Sequence, residues 1–155
     1  GTQMILDGPR FPKARNNRAA AINTIPHSTG AAKAIGKVVP SVNGKLQGHA
    51  QRVQVPDGSV TELTTVLNTE TTADEINEAF KAAFSDTDYY GYNDEGIVSS
   101  DILGDTHGGV FDPTQTDVNT IDGVTLARTV SFYDNEYGFT SNMIRTLLYF
   151  AEISE

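Results

Sequence analysis

The chain has 155 residues, a formal net charge of −9 at pH 7 and no cysteine, which excludes a disulfide framework, a thiolate zinc site and thiol catalysis by these residues. The negative charge disfavours nonspecific nucleic-acid binding, which depends on positive charge against phosphate, and no run approaches the roughly 20 apolar residues of a membrane span. The length fits one domain, the start shows no signal-peptide pattern, and cytoplasm is the expected compartment.

The charge is divided unevenly along the chain. Residues 1 to 55 carry eight lysines and arginines against one acid, a net charge of +7, whereas residues 56 to 155 carry three cations and nineteen acids, a net charge of −16. A basic first third suits a small phosphorylated ligand or a dinucleotide, and it equally suits a solvated basic face. The charge therefore indicates a location for an anion without identifying the ligand.

The first forty residues predict an arm followed by a short helix. Residues 1 to about 20 are rich in proline, arginine and asparagine, a composition typical of a long ordered loop or arm. A helix is predicted over residues 31–39, with Thr29 as its N-cap and Pro40 ending it. The next signal is a turn at Asn43-Gly44.

The middle of the chain predicts a hairpin and a second helix. Two strand-like runs, residues 49–55 and 60–68, are separated by a Pro-Asp-Gly-Ser turn and together predict a hairpin. Residues 72–75, Thr-Ala-Asp-Glu, form a capping box at the start of the helix. Its apolar residues follow the i, i+3, i+4, i+7 spacing of an amphipathic stripe: Ile76, Ala79, Phe80 and Ala83.

The last third of the chain predicts two strands and a C-terminal helix. The strand runs, residues 116–121 and 124–133, are joined by Asp122-Gly123, and the helix begins at about Phe139. One face of that helix carries a core-packing pattern, namely Ile144, Leu147, Leu148 and Ala151. The whole order predicts an α+β fold with helices packed on one face of a mostly antiparallel or mixed sheet. The chain contains neither a GxGxxG fingerprint after a strand nor a Walker loop.

Three segments contain residues that could bind a ligand, and each also has a purely structural explanation. Ser28-Thr29-Gly30 leads into a helix N-terminus, where backbone N–H groups favour an anion, although any capped helix looks the same. Arg52 has the planar fork that suits phosphate, although an arginine on an open strand face is usually just solvated. Asn135 follows a strand beside two acids, which also fits an ordinary helix entry.

Three longer segments contain these residues: 28–34 (Ser-Thr-Gly-Ala-Ala-Lys-Ala), 43–53 and 133–139. In sequence and in their order along the chain, they resemble segments of the phosphorylating glyceraldehyde-3-phosphate dehydrogenases. The resemblance implies that Thr29 and Gly30 hold the attacking inorganic phosphate and that Arg52 holds the phosphate of the substrate. It implies that Asn135 hydrogen-bonds the nicotinamide carboxamide of NAD. Tyr137 and Phe139 depart from the family's frequent tryptophan and tyrosine, so a polar contact by the second side chain is lost.

The resemblance also extends to the start of the chain. Residues 1–20 are similar to the family's S-shaped loop, which lines the cofactor site of a neighbouring subunit, and Arg15 and Arg18 match arginines in it. Gly1-Thr2-Gln3 is similar to the end of the family's H-x-Y-T-x-T-Q segment, so Thr2 is expected near the substrate phosphate. The catalytic cysteine, the histidine base and the NAD-binding N-terminal domain are then expected upstream of Gly1. Residues 1–155 are expected to be a C-terminal catalytic-domain fragment that is inactive alone.

The parent protein implied by the resemblance is a cytoplasmic homotetramer with a glycolytic reaction. It oxidises glyceraldehyde 3-phosphate with NAD and inorganic phosphate, through a cysteine thioester, to 1,3-bisphosphoglycerate. No metal site is expected, because none of the three histidines has a ligand partner at metal spacing. Two alternatives stay open: an erythrose-4-phosphate dehydrogenase, and a non-enzymatic oligomerisation or surface-binding module, since some family members appear at bacterial surfaces.

Overall fold

The computed structural model of the chain describes residues 4–9 and 14–154. They fall into two compact units, Gly1–Pro56 and Asp57–Glu155, so the boundary nearly coincides with the change from basic to acidic sequence. Among the described residues, no helix has both the length and the apolar character needed to cross a membrane.

A two-stranded antiparallel ribbon and one helix form the centre of the first unit. The strands are β1 (Ile25–Ser28) and β2 (His49–Arg52), and α1 (Ala31–Val38) follows β1 after two residues. The described residues of this unit also include three 3₁₀ turns, at Ala14–Asn17, Ala20–Ile22 and Pro40–Val42. Ile25 and Ala19 are buried and supply the apolar centre of this unit.

The Asp7 carboxylate and a backbone hydrogen bond join the first described residues of the predicted arm to residues 18–20. Asp7 accepts a hydrogen bond from the backbone N–H of Ala19 at 2.8 Å, and the Arg18 Nε lies 3.2 and 3.3 Å from its two oxygens. The Ala19 hydrogen bond, and after it Arg18, lower the pKa of Asp7, because both favour the charged form. The backbone N–H of Ala20 also donates to the carbonyl of Met4 at 2.8 Å.

The second unit is a four-stranded sheet with two helices. The strand order is β3-β6-β5-β4, antiparallel except for the β4–β5 pair. The elements are β3 (Ser59–Leu67), α2 (Ala73–Phe84), β4 (Gly91–Tyr92), β5 (Val110–Ile121), β6 (Val124–Tyr133) and α3 (Asn135–Glu152). The predicted α+β fold class with a mostly antiparallel, mixed sheet is confirmed.

The core of the second unit lies between α2 and β5. Phe80, on the predicted stripe of α2, stacks on Phe111 of β5 with ring centroids 4.2 Å apart, and Phe111 is 1% exposed. The predicted capping box is present, because the Thr72 hydroxyl accepts from the Glu75 N–H while the Glu75 carboxylate accepts from the Thr72 N–H. The predicted turn between the last two strands is also present, with positive φ at both Asp122 and Gly123.

The predicted hairpin between the two middle strand runs is wrong. β2 pairs with β1, whereas β3 pairs with β6 over nine residues, from Ser59↔Tyr133 to Leu67↔Thr125. A long partner strand offers β3 more backbone hydrogen bonds than the short β2 could, so tertiary pairing overrides the local turn signal.

The C-terminal helix also differs from its prediction. It begins at Asn135, four residues earlier than predicted, because Asp134 caps it. Its predicted core-packing face is exposed: Ile144 is 50% exposed, and Leu147 and Leu148 are 60% exposed. Within the described residues, this apolar face therefore has too little cover to act as core.

Candidate functional site

The β1–β2 ribbon displays Arg52 beside a histidine. In the antiparallel register Arg52 lies opposite Ile25 and His27 lies opposite Ala50, so Arg52 and His27 are diagonal neighbours on one face. The Arg52 Nη2 lies 3.4 Å from the His27 Nε2, and both side chains are half-buried. This face of the ribbon therefore presents a cation whose direction is influenced by an imidazole.

The other end of the ribbon leads into α1. Gly30 occupies the N-cap position with φ −92° and ψ −2°, and it makes no side-chain cap. The prediction of Thr29 as N-cap is wrong by one residue, because the carbonyl of Gly30 accepts the first helical hydrogen bond, from the N–H of Ala34 at 3.0 Å. The Thr29 hydroxyl instead accepts from the backbone N–H of Ala31 at 3.2 Å. The first N–H groups of a helix lack intrahelical partners, so this end can receive an anion.

Gly30 has open space around it. A Cβ built at this position would meet no heavy atom of the described residues within 4 Å, and its φ is one that any residue adopts. Neither crowding within those residues nor backbone strain therefore requires glycine here. By contrast, a Cβ at Gly48 would lie 3.4 Å from the Thr29 Cγ2, so the start of β2 packs against the Thr29 side chain.

In the second unit, Asp134 organises the start of α3. It is 3% exposed and accepts hydrogen bonds from the N–H groups of Tyr137 at 2.8 Å, Gly104 at 2.9 Å and Glu136 at 3.0 Å. The bonds from Tyr137 and Gly104 lower the pKa of Asp134, because together with the Glu136 bond they outweigh the opposing effect of burial. A buried aspartate at this position therefore remains charged at neutral pH and fixes the helix entry.

Asn135 is the first residue of α3, and its side chain is exposed. Its Nδ2 donates to the Glu136 Oε1 at 3.3 Å, so the amide is oriented by its neighbour. One turn on, a Cβ built on Gly138 would lie only 2.5 Å from the carbonyl oxygen of His107. The close approach of α3 to the loop at His107 thus requires glycine at position 138.

Three carboxylates lie near this helix entry, those of Asp57, Asp134 and Glu136. One oxygen of each lies within 4.8 Å of the others. Each carboxylate accepts a hydrogen bond: Asp57 from the Gly58 N–H at 2.7 Å, Asp134 from the Tyr137 N–H as the cap of α3, and Glu136 from the Asn135 side chain. The pairing of Ser59 with Tyr133 brings the start of β3 to the end of β6 and so accounts for their proximity, and the cluster carries no assignment.

A comparison with known proteins identifies the family of the chain. A family model described as glyceraldehyde 3-phosphate dehydrogenase, C-terminal domain, matches residues 1–135. The chain belongs to this family.

Three similar relatives carry the name glyceraldehyde-3-phosphate dehydrogenase. The protein from Lactobacillus delbrueckii subsp. bulgaricus is 58% identical over 153 residues, which are 98% of this chain and 45% of that protein. The protein from Streptococcus pyogenes is 55% identical over the full chain and 46% of its own length, and that from Streptococcus dysgalactiae subsp. equisimilis is 53% identical with the same coverage. The chain thus spans a little under half the length of these relatives.

The residues that the glyceraldehyde-3-phosphate dehydrogenase motifs single out fall in different places. Thr29, Gly30 and Arg52 share the first unit but lie at opposite ends of the ribbon, since Ser28 pairs with His49 and Arg52 pairs with Ile25. Three strand intervals separate those ends by about 10 Å. Asn135 lies in the second unit, and Thr2 lies outside the described residues.

Two histidine contacts are absent from the sequence-based predictions. His107 Nδ1 lies 2.8 Å from the Asp105 Oδ1, a partner two residues away that a search at metal-ligand spacing passes over. His27 contacts Arg52 across the ribbon, and only the register of β1 and β2 could reveal that contact. β1 was not predicted because four residues that include a proline give a weak strand signal.

Proposed function

We propose that the chain is the C-terminal part of a glycolytic enzyme that oxidises glyceraldehyde 3-phosphate with NAD and inorganic phosphate to 1,3-bisphosphoglycerate. The single observation that carries the proposal is the ribbon, which offers an arginine at one end and an open helix entry at the other. The backbone at these two ends is about 10 Å apart, so each end can bind its own phosphate. The net charge of +7 on residues 1–55 favours both anions.

Each group in the first unit has a distinct task. Arg52 binds the phosphate of the substrate, because a guanidinium fork matches phosphate oxygens with two parallel N–H donors. Thr29 and Gly30 hold the attacking inorganic phosphate at the start of α1, where backbone N–H groups and the helix dipole favour negative charge. The open space at Gly30 supports this assignment, because no described residue crowds that position. Thr2 is proposed near the substrate phosphate.

The second unit contributes Asn135 to the cofactor site. NAD, when bound, accepts the hydride of the aldehyde. An amide suits its carboxamide because it offers both an NH2 donor group and a carbonyl acceptor, and the exposed side chain of Asn135 is accessible at the entry of α3. Asp134 keeps that entry fixed, and Glu136 orients the amide. Specificity for NAD and the orientation of the nicotinamide ring are therefore expected to depend on Asn135.

The nucleophile and the base of the proposed active site are not among residues 1–155. The nucleophilic cysteine and the base are proposed to come from an N-terminal portion of the parent, and the parent is proposed to be a cytoplasmic homotetramer with secondary display at the cell surface. Residues 1–155 alone are then inactive as a dehydrogenase, because they hold no cysteine. The exposed apolar face of α3 favours a second candidate function, an assembly module.

Steady-state kinetics on the intact protein test the proposal. NADH formation should require both glyceraldehyde 3-phosphate and inorganic phosphate, and Arg52→Leu should raise the KM of the phosphorylated aldehyde at least tenfold. Erythrose 4-phosphate in competition measures which aldehyde is preferred, and preference for it would replace the substrate. An intact protein without phosphate-dependent NADH formation, together with self-association of residues 1–155 in sedimentation, would favour the assembly module instead.

A further inference from the structure

The Arg52 side chain makes an interaction across the ribbon. His27 lies opposite Ala50, two residues from Arg52 toward the end of the ribbon where β1 leads to Thr29. A contact of 3.4 Å between Arg52 Nη2 and His27 Nε2 brings the guanidinium to the imidazole on the side of Arg52 that faces this end of the ribbon. The contact therefore points the cation toward the entry of α1.

The two contacts of His27 require one and the same form of its ring. The Nδ1 lies 2.8 Å from the Ser28 carbonyl oxygen, which can only accept, so Nδ1 carries the proton. A guanidinium can only donate, so Nε2 must be the unprotonated acceptor. Both demands are met by the neutral Nδ1–H tautomer. A positive imidazolium would instead turn an N–H toward the arginine and lose the bond.

We propose that His27 is a positioning residue for Arg52: its neutral imidazole accepts a hydrogen bond that holds the guanidinium leaning toward Thr29 and Gly30. The inference rests on the proposed function, in which Arg52 binds the substrate phosphate. A long, flexible side chain loses rotamer freedom when it binds, and a fixed acceptor removes part of that cost beforehand. The bond uses one of the five N–H donors of the arginine. His27 thus favours binding of a phosphorylated aldehyde over one without phosphate.

Three variants of the intact protein separate positioning from packing. His27→Phe keeps a ring but removes the acceptor, His27→Gln supplies an amide oxygen as a new acceptor, and His49→Phe makes the same change on the opposite face of the ribbon. His27→Phe should raise the KM for glyceraldehyde 3-phosphate about fivefold, which corresponds to about 1 kcal/mol, and leave kcat within about twofold. His27→Gln should restore KM to within about twofold. His49→Phe should match the wild type.

Glyceraldehyde without phosphate is the matched substrate. Its KM should be the same in the wild type and in His27→Phe, because it has no phosphate for Arg52 to bind. An unchanged KM for the phosphorylated substrate, an equal loss with both substrates, or a glutamine variant as weak as the phenylalanine variant would each overturn the inference. Should His27→Phe fail to fold, His27→Ala compared with His27→Gln decides the same question.

Nitrogen NMR of the imidazole gives a readout independent of activity. The chemical shifts should report the Nδ1–H tautomer, and the Arg52 side-chain N–H groups should exchange faster in His27→Phe than in His27→Gln. An Nε2–H tautomer would refute the positioning role even in an active enzyme. An Nδ1–H tautomer in a protein that lacks phosphate-dependent NADH formation would leave the contact standing and refute the proposed function and the substrate preference drawn from it.

Discussion

Gly138 offers a test in which two known effects oppose each other. Replacing an interior helix glycine with alanine stabilises a helix by about 0.8–1 kcal/mol through backbone propensity. At position 138, however, the new Cβ would lie 2.5 Å from the His107 carbonyl oxygen, about 0.8 Å closer than an ordinary contact between carbon and oxygen. The crowded atom belongs to the backbone, so the loop or the helix must move.

Overpacking of this kind costs about 1–3 kcal/mol, which exceeds the propensity gain. We expect Gly138→Ala to lower the free energy of unfolding of the intact protein by about 1–2 kcal/mol, measured by urea denaturation with circular dichroism. Gly30→Ala is the matched control, because its Cβ has open space among the described residues, and it should change stability by less than about 0.5 kcal/mol. Stability equal to or above the wild type in Gly138→Ala would show that α3 does not press on the His107 loop.

Three further changes probe separate features of the fold and site. Gly30→Ala should raise the KM for inorganic phosphate about tenfold while stability is unchanged, and an unaltered KM would argue against phosphate binding at α1. Asp134→Asn should destabilise the protein by about 1–2 kcal/mol at pH 6–7, since an amide cannot accept all three N–H groups. Because the pKa of Asp134 in the folded protein is below the usual 3.8, the difference in stability from the wild type should disappear as pH falls through that folded pKa. Urea titrations at several pH values measure this difference. Thr72→Ala should cost about 1 kcal/mol but leave the pKa of Glu75 lowered, because the backbone N–H of residue 72 and the Thr71 hydroxyl still donate to its carboxylate; NMR titration measures this pKa.

Local signals predicted those elements whose determinants are close in sequence. The capping box at Thr72 and Glu75 defined α2, and Asp122-Gly123 correctly joined β5 to β6, because caps and tight turns depend on neighbouring residues. The same local reasoning failed at the Pro-Asp-Gly-Ser turn of residues 56–59. There, a nine-residue register with β6 determined the partner of β3, and no local pattern contains that information.

The contact between His27 and Arg52 illustrates a second limit. The two residues are 25 positions apart, and they meet only because β1 and β2 pair with Ile25 opposite Arg52. A resemblance to family motifs can assign Arg52 a phosphate, but it gives no role to His27, which lies just before the matched segment of residues 28–34. The register therefore adds a candidate positioning residue that motif matching leaves out.

The glycines of the first and last motifs have different physical explanations. Gly138 is required by the folded chain itself, because the His107 carbonyl occupies the space a side chain would need. Gly30 is required by no such contact among the described residues, since its φ is ordinary and its surroundings are open. Glycine is favoured over alanine at an N-cap, which is one explanation for Gly30, and an anion that approaches from outside these residues is a second. An inorganic phosphate approaching the N–H groups of α1 meets that description, and loss of phosphate binding without loss of stability in Gly30→Ala is the result that this explanation requires.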